Sequence, residues 1–159
     1  MTDLIDLHGA TALVTGAAKR LGGAVSLALA KAGVNIIAHY RTSQPEAEAL
    51  ADAVRKTGAR AWTLPGDLRH PREAKDLFHR ACDAAGPIDF LLNNASIFPE
   101  SGLLDCTPED IHANIDVNAL SPLLLARAFA AQQRTGAIVN FLDTMIADYD
   151  KKHVPYHLS

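Results

Sequence analysis

Leu13–Ala24, LVTGAAKRLGGA, runs from an apolar stretch through a glycine-rich turn into helix-forming residues. A strand-to-helix turn of this kind aims backbone N–H groups at the start of a helix, where negative charge is favoured. Glycine lets such a turn reverse tightly and lets a ligand approach the backbone, and Gly16 and Gly22 are the positions where the pattern asks for it. The same turn also serves ordinary strand-to-helix corners, so the rest of the chain must decide between a corner and a phosphate cradle.

Outward from that turn, short β-rich runs alternate with stretches of helical period. Strands are expected at Ala12–Val14, Asn35–His39, Arg60–Leu64, Ile88–Leu92 and Ala137–Leu142. Their apolar residues do not alternate, as in strands buried on both faces. Ala47, Leu50, Ala51 and Val54 recur at helical spacing, as do Ala74, Leu77, Phe78, Ala81 and Ala85. Thr107-Pro108 followed by Asp110 is a helix start: a hydroxyl cap, a proline at the first position and an acid in the first turn. The helix it opens is expected to reach about Gln133 with a kink at Pro122. Five βα repeats with short connections and right-handed crossovers predict an α/β fold, a doubly wound parallel sheet in one domain spanning residues 1–159.

Composition narrows the function classes. Of 159 residues, 48% are hydrophobic and 21% charged, so a packed globule is expected. The net charge of −3 and scattered basic residues leave no footprint for nucleic acid. No apolar run approaches the ~18 residues of a membrane span, and the N-terminus has no basic segment leading an apolar one. Cys82 and Cys106 lack metal-ligand spacing and read as free thiols; a cytoplasmic location is expected.

The second strand ends in AHYRTS, where a site preferring NAD would carry an acid for the ribose 2′-hydroxyl. Arg41 stands there instead, able to pair with a 2′-phosphate, with Ser43 as a second donor. NADPH/NADP+ is therefore the expected cofactor; a solvated surface arginine is the plain alternative.

TGAAKRLG, LLNNAS, DVNAL and the spacing of thirteen residues between Asp143 and Tyr156 together resemble the short-chain dehydrogenase/reductase family, and within it the pteridine reductase branch. The resemblance runs from about Thr11 to Ser159 and implies a Rossmann fold whose C-terminal strands are missing from this chain. Arg20 replaces the family's usual glycine, as in the pteridine reductase-like form. For the cofactor, it implies Gly16, Lys19, Arg20, Leu21 and Gly22 in the first turn, and Tyr40, Arg41 and Ser43 after the second strand. To these it adds Asp67 and Leu68 beside the adenine, and Asn94, Ala95 and Ser96 after the fourth strand. Asn93 and Asn94 match the family's NNAG segment, although turn chemistry also accounts for asparagines there.

For catalysis the resemblance implies Asn118, Asp143 and Tyr156, with Arg20, Ser96, Phe98, Asp143 and Tyr156 facing a pteridine substrate. Phe98 would stack on the pterin ring, or else pack under its own loop. Asp143 occupies the place of the wider family's serine, and a desolvated carboxyl there suits protonation of a ring nitrogen. Thr144 is one residue off that spacing and ranks below Asp143. Tyr156 matches the tyrosine of YxxxK, and the chain stops before the lysine, so it is expected to be an inactive fragment of a longer, homo-oligomeric protein.

The expected function is reduction of dihydrobiopterin, dihydromonapterin or dihydrofolate by NADPH. A carbonyl or 3-oxoacyl carrier-protein reductase is the same-fold alternative, and a non-catalytic nucleotide-binding fragment is the alternative of another class.

Overall fold

Thr11–Val14 (β1) is buried along its whole length and carries the glycine-rich turn at its carboxyl end. A computed structural model describes residues 7–143 and 150–159 of the chain. In it β1 is the middle strand of a five-stranded sheet, with Asn35–Tyr40 (β2), Ala61–Pro65 (β3), Phe90–Asn93 (β4) and Ala137–Asn140 (β5) in the order β3-β2-β1-β4-β5. Every pairing is parallel. The chain winds outward from β1 to β3, then crosses back to β4 on the other side. A crevice opens at that reversal, beyond the carboxyl ends of β1 and β4.

Helices Arg20–Lys31 (α1) and Gln44–Arg55 (α2) cover one face, and Pro71–Ala85 (α3) and Ser121–Ala130 (α5) cover the other. Pleating divides the central strands between two cores. Leu13 and Ile37 pack with Leu77, Phe78, Leu91, Leu125 and Phe129, whereas Ala12, Val14, Ile36 and Ala38 pack with Ala30, Ala51 and Val54. Each fully buried Leu or Ile here contributes about 1.5–3 kcal/mol, so the site rests on a rigid floor.

Several boundaries differ from the sequence expectation for identifiable reasons. β2 extends to Tyr40, whose carbonyl accepts from the Gly66 N–H at 3.0 Å. β3 runs Ala61–Pro65 rather than Arg60–Leu64. β4 starts at Phe90 rather than Ile88, because the Gln132 side chain takes both Ile88 backbone groups, accepting at 2.9 Å and donating at 3.1 Å. β5 stops at Asn140, and it is not buried on both faces: Ile138 and Val139 are exposed on this edge strand, as much of β3 is partly exposed on the opposite edge. After β5 the described residues form the short helix Val154–His157 (α6) and one isolated bridge from His153 to Ser101.

The helix opened by Thr107 has its full capping box, with Thr107 Oγ1 accepting from the Asp110 N–H and Asp110 Oδ2 from the Thr107 N–H. It does not continue evenly to Gln133. Pro108–Ile115 (α4) passes into a π-helical turn at Asp116–Leu120, and α5 then ends at Ala130. Pro122 has no N–H for the carbonyl one turn back and its ring crowds that carbonyl, so the ladder widens just before the proline. The irregularity assigned to Pro122 thus takes the form of a π turn, and Asn118 lies inside it.

Candidate functional site

The two glycines of the turn are required for different reasons. Gly16 has φ +62°, and a Cβ there would lie 2.9 Å from Ala95 Cα. Gly22 has an ordinary conformation, but an added Cβ would sit 2.5 Å from the Gly16 carbonyl oxygen and 2.6 Å from Asn94 Nδ2. Both glycines therefore let the turn pack onto the segment following β4. Arg20 is held at φ +51°, a left-handed conformation that L side chains adopt at a cost and glycine does not.

Asn94 fastens this packing: its Nδ2 donates to the carbonyls of Thr15 at 2.9 Å and Gly16 at 3.1 Å. Thr15, 1% exposed, completes it by accepting on Oγ1 from the N–H groups of Asn94 and Ala95, each at 3.0 Å. Asn93 braces the sheet by donating to Asn140 Oδ1 across the β4–β5 pair. These asparagines tie separate segments together rather than form a turn.

Every residue assigned from the sequence to the cofactor lines one cleft of about 410 Å³ at the sheet's carboxyl edge. One wall is Gly16 with Lys19–Gly22, the far corner is Tyr40, Arg41 and Ser43, and Asp67, Leu68 and Asn94–Ser96 close the sides. Lys19 already pairs with Glu46 at 2.8 Å, both side chains half-exposed. Asp67 chelates Arg69, which holds its carboxyl down at about 2. Leu68 is buried and fixed from below, its carbonyl accepting from Ser121 Oγ at 2.8 Å.

His39 also lines the cleft and was not singled out from the sequence. Its ring accepts the Gly16 N–H on Nδ1 at 3.2 Å and meets the Gly66 carbonyl through Nε2 at 3.1 Å. Burial pushes its pKa down to about 4. A polar ring inside the apolar run of β2 was the available signal.

The residues assigned to catalysis form a second cluster, beside the cleft rather than in its lining. The Tyr156 hydroxyl donates to Asp143 Oδ2 at 2.9 Å. Burial, and then the adjoining Asp143 carboxylate, raise the phenol above its usual pKa, so it keeps its proton near neutral pH. Asp143 is exposed, which removes desolvation as the reason for it to hold a proton. Thr144 lies outside the described residues.

Phe98, 48% exposed, meets Tyr156 edge-on at 4.5 Å, and one face is stacked on His153 at 3.7 Å. His153 is in turn held by Asp150 at 2.6 Å. Neither was anticipated from the sequence. Asn118 stands behind Phe98, clamping the Ile97 peptide and donating to Ser159 Oγ.

The sequence model of the short chain dehydrogenases matches residues 10–152. The chain belongs to that family. It is 32% identical over 137 residues to a 3-oxoacyl-[acyl-carrier-protein] reductase of Synechocystis, covering 84% of this chain and 56% of the relative. Its fold is similar to a Burkholderia cenocepacia short chain dehydrogenase crystallised with NADP, at TM-score 0.89 and 29% identity, covering 96% of this chain and 63% of the other. It is likewise similar to the FolM alternative dihydrofolate reductase 1 of Brucella canis, also crystallised with NADP, at TM-score 0.88 and 28% identity, covering 96% and 62%. The chain thus spans less than two thirds of the length of these proteins. Among the described residues no helix is long and apolar enough to cross a membrane.

Proposed function

We propose that the protein is an NADPH-dependent short-chain reductase acting on a pteridine such as dihydrobiopterin, dihydromonapterin or dihydrofolate. The cofactor part rests on the fit of the cleft. The N–H groups of the first turn of α1 have no intrahelical acceptor, and Arg20 lies beside them. At the β2 end, Arg41 and Ser43 offer donors for a 2′-phosphate, and no acid stands in the AHYRTS stretch itself. The similarity to two proteins crystallised with NADP supports the same reading.

The pteridine part rests on one observation above the others: Tyr156 is hydrogen-bonded to a carboxyl, Asp143, at 2.9 Å, where the wider family would place a hydroxyl. When bound, NADPH supplies the hydride of the reduction. The chain's own residues then have to orient a flat ring and deliver a proton. Tyr156 holds its proton near neutral pH and shares it with Asp143, so the pair can pass one proton to a ring nitrogen and be refilled from solvent through the exposed carboxyl. Phe98 offers an apolar surface at the same place, and Asn118 fixes the segment that carries it. Similarity to an alternative dihydrofolate reductase favours this substrate class.

A second reading, reduction of a ketone or 3-oxoacyl substrate, is favoured by the 32% identity to a 3-oxoacyl-[acyl-carrier-protein] reductase. Steady-state NADPH oxidation by the native protein with pterins and with ketones in parallel separates the two. The proposal expects pterin turnover to dominate. It also expects Asp143→Ser to depress that turnover while sparing weak ketone reduction, because a serine hydroxyl cannot take the place of the carboxylate that links Tyr156 to solvent, though it can still donate a hydrogen bond to a carbonyl. Preferred turnover of the ketone, or unchanged pterin turnover in the variant, would contradict it.

A further inference from the structure

The chain ties its cleft together through one imidazole. His39 is 2% exposed near the end of β2, and three of its atoms reach backbone groups of two other segments. Its carbonyl accepts from the Ala17 N–H at 2.9 Å and its Nδ1 from the Gly16 N–H at 3.2 Å, both in the glycine-rich turn. Its Nε2 lies 3.1 Å from the Gly66 carbonyl, at the loop between β3 and α3. These ring partners are 23 and 27 residues away in sequence, and both belong to segments that line the cleft.

The partners dictate the protonation state. A backbone N–H can only donate, so Nδ1 must present its lone pair to Gly16; a carbonyl can only accept, so Nε2 must carry the hydrogen. An imidazolium would set an N–H of the ring against the Gly16 N–H. The charged groups that act on the ring are Arg80, Asp67 and Glu73. Arg80 is engaged with the Pro65 carbonyl at 2.7 Å, and Glu73 with the Asp67 N–H at 2.7 Å. Burial outweighs the two carboxylates, in keeping with a neutral ring.

We propose that His39, as the neutral Nε2–H tautomer, is a positioning residue for the cofactor, joining the glycine-rich turn to the Gly66–Leu68 loop and so setting the separation of the cleft's walls. The inference rests on the reading of this cleft as the NADPH site. A histidine serving only to fill the core would have no need of ring partners in two different segments of the lining, and an apolar side chain of similar size would leave the Gly16 N–H and the Gly66 carbonyl without their ring partners.

The test compares His39→Leu with His39→Asn near neutral pH, reading NADPH affinity by fluorescence and hydrogen exchange at the Gly16 amide in the cofactor-free protein. Asparagine can place its Oδ1 close to where Nδ1 stood and so restore the acceptor for Gly16; leucine cannot. His39→Leu is expected to weaken NADPH binding by about tenfold or more and to speed exchange at Gly16, with His39→Asn recovering most of both. A folded His39→Leu variant that binds NADPH within about twofold of the parent, or a His39→Asn variant no better than His39→Leu, would overturn the proposal. Should His39→Leu not fold, the nitrogen chemical shifts of the His39 ring in the parent decide. An unprotonated Nδ1 beside a protonated Nε2 is expected, and the opposite tautomer or an imidazolium would overturn it. A parent that binds no NADPH would overturn the cofactor reading and the positioning role with it. The ring nitrogens and a protected Gly16 amide would then show that the tether itself is intact and that the ligand was misassigned.

Discussion

Asn118 takes both backbone groups of Ile97, its Oδ1 accepting from the Ile97 N–H at 3.0 Å and its Nδ2 donating to the Ile97 carbonyl at 3.2 Å. A side-chain amide has the same donor and acceptor as a peptide group, so this pair acts like one rung of a β ladder between a helix and a loop. The π turn around Asn118 is where that side chain leaves the helix. Replacing it with leucine, of similar size, removes both bonds and is expected to cost about 1–3 kcal/mol in urea denaturation. Asn118→Asp keeps the acceptor but sets a carboxylate oxygen against the carbonyl, and should destabilise as well. An unchanged midpoint in both variants would contradict the clamp.

Arg20 predicts two effects of opposite sign from one substitution. At φ +51° an arginine is strained where a glycine is not, so Arg20→Gly should relieve up to about 1 kcal/mol of backbone strain, less the added freedom of the unfolded chain. The same change removes a guanidinium from the cleft and should weaken NADPH binding. Thermal unfolding and a binding titration on one preparation check both. A variant that lost stability, or bound NADPH more tightly, would contradict the reading.

The glycines allow a matched comparison. In Gly22→Ala the new methyl would lie 2.5 Å from a backbone oxygen, so the turn must shift off the Asn94 segment. In Gly23→Ala the nearest contact is 3.3 Å, from the Ala17 carbonyl oxygen. Gly22→Ala is expected to cost about 1–3 kcal/mol and to abolish NADPH binding, whereas Gly23→Ala should be far milder. Equal effects of the two, read by circular dichroism melts and cofactor titration, would show that close packing is not the reason for Gly22.

Acid sensitivity should follow from His39. Its pKa falls from 6.5 to about 4 on folding, so between those values the unfolded chain binds a proton that the folded one does not. Stability from this group is therefore full above pH 6.5 and is lost as pH falls through 4. The loss amounts to about 3 kcal/mol, undiminished by solvent because the ring is buried. Urea midpoints of the parent should fall across this interval more steeply than those of His39→Asn, whose side chain does not titrate. Parallel curves would remove His39 as the cause.

The order of elements and the glycine-rich turn were legible in the sequence because they depend on local signals: apolar runs, helical spacing and two glycines. Most of the residues lining the cleft, though not His39, were legible through motif resemblance, since the parallel sheet brings the ends of β1, β2, β3 and β4 to one edge whatever fills the loops between. Contacts across segments were not. Nothing local marks Thr15 as the acceptor for two N–H groups beyond β4, or Gln132 as the side chain that replaces the ladder at Ile88. The π turn needed the whole helix, because its cause, Pro122, and its consequence, the exit of Asn118, lie on different turns. The stacking of His153 on Phe98 depends on residues 152–154 returning to pair with Ser101, a contact with no sequence signature.

The account stands on the cleft being an NADPH site, and the most direct test is a fluorescence titration of the protein with NADPH and NADH side by side, repeated with Arg41→Asp. A guanidinium at the end of β2 should favour the 2′-phosphate, and a carboxylate there should repel it while accepting from the ribose hydroxyl. The account predicts that the parent binds NADPH at least about tenfold more tightly than NADH and that Arg41→Asp reverses the order. Equal affinities in the parent, or no binding of either nucleotide, would contradict it.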